Sequence, residues 1–387
     1  MPMSSNDKLD AEHVERLITA GTAPDAAVAE LVDELGLDTV GEILIDEIVF
    51  RCPPPENTTA VTIALEVVHG VRRRRTLLRV MRDEPISQVN GDGRAVQMVL
   101  EIDVLDLVRR IFGPVGHRRT GDFRNAFLPS GLEHLGYLRD TALATDTLLS
   151  GCGNDSVDLG ALAVRYGSDK WASLHWYAPH YEHHFERFRD HPVRLLEIGI
   201  GGEDRELGGA SLKMWKRYFH RGLIVGVDIF DKSLLNQRRL TAAVADQRVA
   251  EELAAIGDLY GPFDIVIDDG SHVAEDIRTA FHALLPYLRH DGIYVIEDLQ
   301  TSYLPEFGGS AGEAAEPYTA VGLVKQLVDD LHFQERASAA DQPPTLTQAC
   351  VTGIHVYHNI VFLEKGTNGE EGFPHWLRQL LAGPGHS

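Results

Sequence analysis

Short apolar runs and amphipathic segments alternate through the second half of the chain. RLLEIGI (194–200), LIVGVDI (223–229), FDIVIDD (263–269) and GIYVIED (292–298) read as strands, with LKMWKRYF (212–219) and AFHALLPYL (280–288) as helical segments among them. Apolar runs separated by helices predict a mostly parallel sheet covered on both faces, an α/β fold of Rossmann-like type. The first half is patterned differently. SSND precedes a helix near 8–19, and APDAAVAELVDEL (23–35) repeats apolar residues at helical spacing. TTAVTIALEVVHG (58–70) and VRRRRTLLRVM (71–81) predict two β segments joined by a tight turn, and MVLEIDVLDLVRRIFG (98–113) a strand leading into a short helix. The stretch 114–155 is rich in Gly, Pro, Arg, Asp and Ser, and LLSGCGND (148–155) marks a seam. The expected organisation is a smaller α+β domain over 1–150 and the α/β domain over 151–387, with no internal repeat.

Composition narrows the partners. The 387 residues carry a formal net charge of −22, which argues against nucleic acid or an anionic membrane surface and for a small molecule or another protein. Cys52, Cys152 and Cys350 are far apart and fit a reducing cytoplasm rather than a disulfide framework or thiolate metal site. No run predicts a signal peptide or a membrane span. The Arg72–Arg75 run reads as a solvated strand face before an anion site.

Chemistry is expected beyond the carboxyl ends of the strands, where open α/β sheets bind ligands. Glu197, Gly199, Gly201 and Gly202 follow one strand, and Ser211 lies where the next helix begins, a turn that lets backbone approach a cofactor. Asp228 ends the next strand, where an acid can accept from both ribose hydroxyls; turn and acid together suit NAD or S-adenosylmethionine. Asp246 and Gln247 fall where a third strand end would meet an adenine edge. IDDGSH (267–272) ends a strand in Asp268 and Asp269, and the following βαβ unit brings Glu297 and Asp298 alongside. Carboxylates so close require a shared proton or a cation, and an all-oxygen set of Asp269, Glu297 and Asp298 selects Mg²⁺ before Ca²⁺ or Mn²⁺. His272 is placed to take a proton from a hydroxyl, or alternatively to cap the next helix, with Asp268 the next candidate base. His180 and His184, at i and i+4, lack the glutamate spacing of a zinc helix, and His355 and His358 read as structural residues of a terminal strand. The aromatic segment holding His175 and Tyr177 and the loop holding Gln300 and Tyr303 are candidate substrate contacts.

RYGSDKW, LHWYAPHYEHHF, LLEIGIGG, GGASLKMWKRYF, VGVDIFDKS, IDDGSH, IEDLQTSY and HVYHNIVFLEKG, in this order over about 160–365, resemble the macrocin and mycinamicin type of sugar O-methyltransferase. The resemblance implies a class I methyltransferase sheet with an antiparallel terminal strand. It also implies S-adenosylmethionine on Gly199, Gly201, Ser211 and Asp228, and Mg²⁺ on Asp269, Glu297 and Asp298, with His272 as general base. The substrate it implies is a deoxysugar 2- or 3-hydroxyl on a glycosylated natural product such as a macrolide. A homotetramer whose N-terminal domains shape neighbouring sites is implied as well. The competing readings are a nicotinamide-dependent oxidoreductase and a non-catalytic scaffold that kept the cofactor fold.

Overall fold

The structure, a computed structural model, describes residues 5–90, 96–116, 124–127, 138–153, 155–172, 174–202, 208–312, 314–336, 343–369, 372–374 and 376–377. Two compact units share the chain: one takes 1–158, 187–192 and 217–221, the other 159–186, 193–216 and 222–387. Among the described residues, no helix is long and apolar enough to cross a membrane.

The first unit holds α1 (Ser5–Ala20), α2 (Asp25–Leu35), α3 (Leu37–Arg51), β1 (Val61–His69), β2 (Arg72–Val80), β3 (Ser87–Gln88), β4 (Met98–Asp103), α4 (Val104–Phe112), β5 (Arg124–Phe127) and α5 (Leu138–Gly151). Its mixed sheet runs in the order β3-β2-β1-β4-β5. β1 and β2 form the expected hairpin, with Gly70 in the turn at φ 61. Ile63, Leu65 and Val67 alternate into the core, as a half-buried strand requires. The Arg72–Arg75 run lies on β2 and is spent on neighbours: Arg72 pairs with Asp33, Arg73 with Glu66 and Glu101, Arg74 with Asp38 at 3.3 Å and Arg75 with Glu66 at 3.4 Å. Asp103 caps α4 by accepting from the N–H groups of Leu105 and Asp106 at 2.9 and 3.2 Å. Part of the expected seam is ordered helix, because LLSG closes α5, with Leu148 buried. Much of the stretch before α5 lies outside the described residues.

The second unit contains α6 (Leu159–Tyr166), α7 (Ala178–Phe185), β6 (Arg194–Ile198), α8 (Ala210–Tyr218, whose last two residues belong to the first unit), β7 (Leu223–Asp228), β8 (Leu240–Val244), α9 (Ala250–Tyr260), β9 (Phe263–Asp268), α10 (Ala274–Leu284), β10 (Leu288–Ile296), α11 (Ala320–Leu331), α12 (Leu346–Cys350), β11 (Val351–Tyr357) and β12 (Ile360–Lys365). Its sheet runs β11-β12-β10-β9-β6-β7-β8. β6 to β10 are mutually parallel, and β12 is antiparallel to β10. Here the structure departs from the single terminal strand read from the sequence. GIHVYHNIVFLEKG is a hairpin, β11 and β12, turning at His358 and Asn359 with Asn359 at φ 66. β9 and β10 bury Ile265, Val266, Ile267, Ile293, Val295 and Ile296 completely, which is why they read as continuous apolar runs. The order places β7 on one side of β6 and β9 on the other. The chain winds outward from β6 to β8 and then returns to β9, so the carboxyl ends of β6 and β9 flank the crevice where such sheets bind ligands.

Candidate active site

Gly199 follows β6 at φ 89, and a Cβ there would lie 2.0 Å from the Asp269 carbonyl oxygen. Only glycine lets the first turn close against the end of β9. Gly201 and Gly202 continue the turn at φ 73 and 82. Asp228, the last residue of β7, accepts from the Ile200 N–H at 3.2 Å and from the Phe230 N–H at 2.9 Å, so it buttresses the turn. A cavity of about 890 Å³ opens here, lined among others by Gly199, Gly201, Ser211, Asp228, Asp246, Gln247, Asp269 and His272. That volume and a glycine-rich wall fit a nucleoside cofactor.

Glu197 and Asp268 are not among the described residues lining the cavity. Glu197 is fully buried and accepts from the Ser211 hydroxyl at 2.9 Å, so it holds the start of α8 rather than facing the cavity. Asp268 accepts from the Gln247 amide at 2.7 Å, while Gln247 Oε1 accepts from the Ser271 N–H at 2.9 Å. The Gln247 side chain is thereby committed to the IDDGSH segment. Asp246 lines the cavity with its carboxylate held by Arg248 at 2.6 Å.

Lys170, 1% exposed, donates to Asp269 Oδ2 at 2.6 Å and Glu297 Oε1 at 2.7 Å, and lies 3.4 Å from Glu197 Oε1. Tyr181 donates to the same Glu297 oxygen. Tyr177 donates to Asp298 Oδ1 at 2.8 Å, and the Nε2 atoms of His175 and His272 each lie 3.4 Å from an Asp298 oxygen. Ligand atoms of Asp269, His272 and Asp298 lie within 4.8 Å of one another, as do those of Glu197, Asp269 and Glu297. The three acids chosen from sequence therefore meet in two overlapping groups that share Asp269, with Glu297 on the lysine side. Both His272 and Asp298 take left-handed backbone, φ 58 and 53, and His272 points at Asp298 instead of capping α10, whose N-cap is Val273.

The electrostatics follow from three carboxylates around one ammonium. Burial opposes the Lys170 charge, but Asp269, Glu297 and Glu197 outweigh it and hold its pKa well above the ordinary lysine value. Burial lifts Glu297 and Asp269 above the usual carboxylate range, with Lys170 pulling both back, and lifts Glu197 to about 7. Burial, then the neighbouring acids, raise the Tyr177 and Tyr181 phenols, so both remain proton donors. The excess negative charge and the oxygen donors beside His272 fit a hard divalent cation.

Gln300 sits in the 3₁₀ turn Leu299–Tyr303 with its Oε1 buried and without a hydrogen-bond partner among the described residues; Tyr303 is exposed. Neither joins the carboxylate groups. His180 and His184 do not pair: His180 stacks on Tyr357, and His184 bonds the Tyr357 hydroxyl at 3.1 Å and neighbours His355 and Glu364. His358 lies in the hairpin turn. A second cavity, about 960 Å³ beside α11, shares no residue with this site. Lys170 and Tyr181 are the site residues that sequence reasoning missed. One signal was available, since the acids demanded a counter-charge and the chain has only seven lysines, one of them in RYGSDKW.

Residues 14–122 match the family described as MycE methyltransferase N-terminal. The chain is 41% identical over 384 residues to mycinamicin VI 2''-O-methyltransferase of Micromonospora griseorubida, covering 97% of this chain and 96% of the relative. It is 44% identical over 374 residues to demethylmacrocin O-methyltransferase of Streptomyces fradiae, covering 95% of each. The solved MycE methyltransferase from the mycinamycin biosynthetic pathway, in complex with Mg, SAH and mycinamycin VI, superposes with a TM-score of 0.87 at 41% identity, over 94% of this chain and 96% of that one.

Proposed function

The chain belongs to the mycinamicin and macrocin family of sugar O-methyltransferases, and we propose that it methylates a 2- or 3-hydroxyl of a 6-deoxysugar carried by a macrolide or related polyketide. It is an S-adenosylmethionine- and Mg²⁺-dependent enzyme of antibiotic biosynthesis, not a nicotinamide oxidoreductase. The observation that carries the site assignment is the contact of Gly199 with the Asp269 backbone, which sets the cofactor turn and the carboxylate cluster side by side.

In this reading Gly199, Gly201, Ser211 and Asp228 form the cofactor cradle, and Asp269, Glu297 and Asp298 hold the metal. Bound there, S-adenosylmethionine supplies the methyl group and Mg²⁺ the Lewis acid that polarises the acceptor sugar oxygens. His272 takes the hydroxyl proton on its ring nitrogen, and the Asp298 carboxylate at 3.4 Å steadies the imidazolium that results. Tyr177 fixes Asp298 for this task, with His175 stacked on its ring at 4.5 Å. Gln300 and Tyr303 are assigned to the substrate side. The proposed assembly is a cytoplasmic homotetramer, as the family resemblance implies.

Incubating the enzyme with S-adenosylmethionine, Mg²⁺ and a panel of glycosylated polyketides should give singly methylated products by mass spectrometry. A chelator should abolish them. His272→Ala should lower turnover by about 10²–10⁴-fold with little change in S-adenosylhomocysteine affinity. Undiminished turnover in chelator would reject the metal role, and near-normal turnover by the variant would place the base elsewhere.

A further inference from the structure

Lys170 is the buried charge that the proposed reaction leaves without a task. Its main chain is held in place, because its carbonyl oxygen accepts from the N–H groups of Tyr177 and Ala178 at 3.1 and 3.2 Å, pinning it to the start of α7. Its ammonium takes one oxygen from Asp269 and one from Glu297, leaving a second oxygen on each. Glu197, the third acid within reach, also receives the Ser211 hydroxyl and so links this charge to the cofactor turn. The cluster thus has an inner group around Lys170, formed by Glu197, Asp269 and Glu297, and an outer group of Asp269, His272 and Asp298, with Asp269 common to both.

We propose that Lys170 is a tethered cation: it fills the inner half of a two-cation carboxylate cluster, sets the orientation of Asp269 and Glu297, and confines the exchangeable divalent ion to the outer half beside His272. The ammonium lies 2.6 and 2.7 Å from one oxygen of Asp269 and one of Glu297, so the second oxygen of each acid is left for the divalent ion on the side away from the lysine. Charge points the same way. One ammonium and one divalent ion nearly balance four carboxylates, whereas a second divalent ion could enter only if the ammonium left. Lys170 is in these terms a positioning residue, acting on the reaction through the acids it orders.

The inference rests on the Mg²⁺ site proposed above, and metal binding read directly separates the two. Mn²⁺ titration followed by electron paramagnetic resonance should count one ion per wild-type chain. Lys170→Ala should count two, and Lys170→Ala with Glu197→Gln should return to one. If Lys170→Ala needs Mn²⁺ to fold, recovery of its melting transition on adding Mn²⁺ supports the same conclusion, since a merely structural lysine would not be replaced by a metal. A Lys170→Ala protein that binds a single ion, or that stays unfolded at every Mn²⁺ concentration, overturns the assignment. A wild-type chain that binds no Mn²⁺ overturns the metal reading instead.

Discussion

His272 and Asp298 hold left-handed backbone without being glycine, a conformation that costs about 1–3 kcal/mol per residue and persists only where neighbours enforce it. Gln247 enforces the first through Asp268 and Ser271, and Tyr177 the second through the Asp298 carboxylate. The acids themselves were legible, because carboxylates ending apolar strands need an explanation. Their partners were not, since Lys170 and Tyr181 stand 127 and 116 positions from Glu297 and only the fold brings them together. Asp268, the second candidate base, is buried. Burial pushes its pKa from 3.8 to about 8, and its Oδ2 has no hydrogen-bond partner among the described residues. The folded state therefore binds this proton more tightly than the unfolded chain. Its stabilising contribution is complete below about pH 4 and is lost as pH rises to about 8. In metal-free protein, the melting temperature of Asp268→Asn relative to wild type should climb between about pH 4 and 8. A difference that stays flat with pH would show that the carboxyl is not held protonated.

Elements, more than residues, were readable from periodicity. Parallel strands buried on both faces must be apolar throughout, so β6, β7, β9 and β10 announced themselves, as did the β1–β2 hairpin with its glycine turn. The β11–β12 hairpin was hidden because its two-residue turn, His358 and Asn359, has no Gly or Pro to punctuate it; Asn359, a residue type that tolerates left-handed backbone, takes φ 66 there. That turn matters to the site. The Asn359 carbonyl accepts from the Leu299 N–H at 3.0 Å and from the Tyr177 hydroxyl at 3.2 Å, clamping the segment just after Asp298. Tyr177 thus joins the start of α7 to the hairpin and to the Asp298 carboxylate. Removing a hydrogen bond to a charged group costs about 1.5–3 kcal/mol, so Tyr177→Phe should raise the Mg²⁺ concentration for half-maximal turnover by about 10- to 100-fold. S-adenosylhomocysteine affinity, measured calorimetrically, should stay put. An equal loss in both would mean that Tyr177 supports the whole cavity rather than Asp298.

At the scale of the molecule, the three cysteines report on folding. Cys52 and Cys152 are buried in the first unit and Cys350 in the second. Burial pushes the Cys152 thiol up to about 12 and also raises Cys350, so neither offers a thiolate while folded. Alkylation near pH 8 should therefore proceed only through opening. Ligand that binds the folded form alone at about 100 times its Kd should slow Cys350 labelling roughly 100-fold. Mass spectrometry after S-adenosylhomocysteine addition checks this, and a labelling rate indifferent to ligand would sink it. The sequence announced a change of character near residue 150, but not that the first unit also claims 187–192 and 217–221, because short segments leave no compositional trace. Arg221 from the last of these donates to the Asp190 and Ile18 carbonyls, and His220 bonds that of Gly113. The first unit consequently takes in two short segments of the later sequence. Exchanging it with that of a relative by a single crossover near residue 158 would leave two foreign patches embedded in the recipient, so viable hybrids must carry all three pieces together.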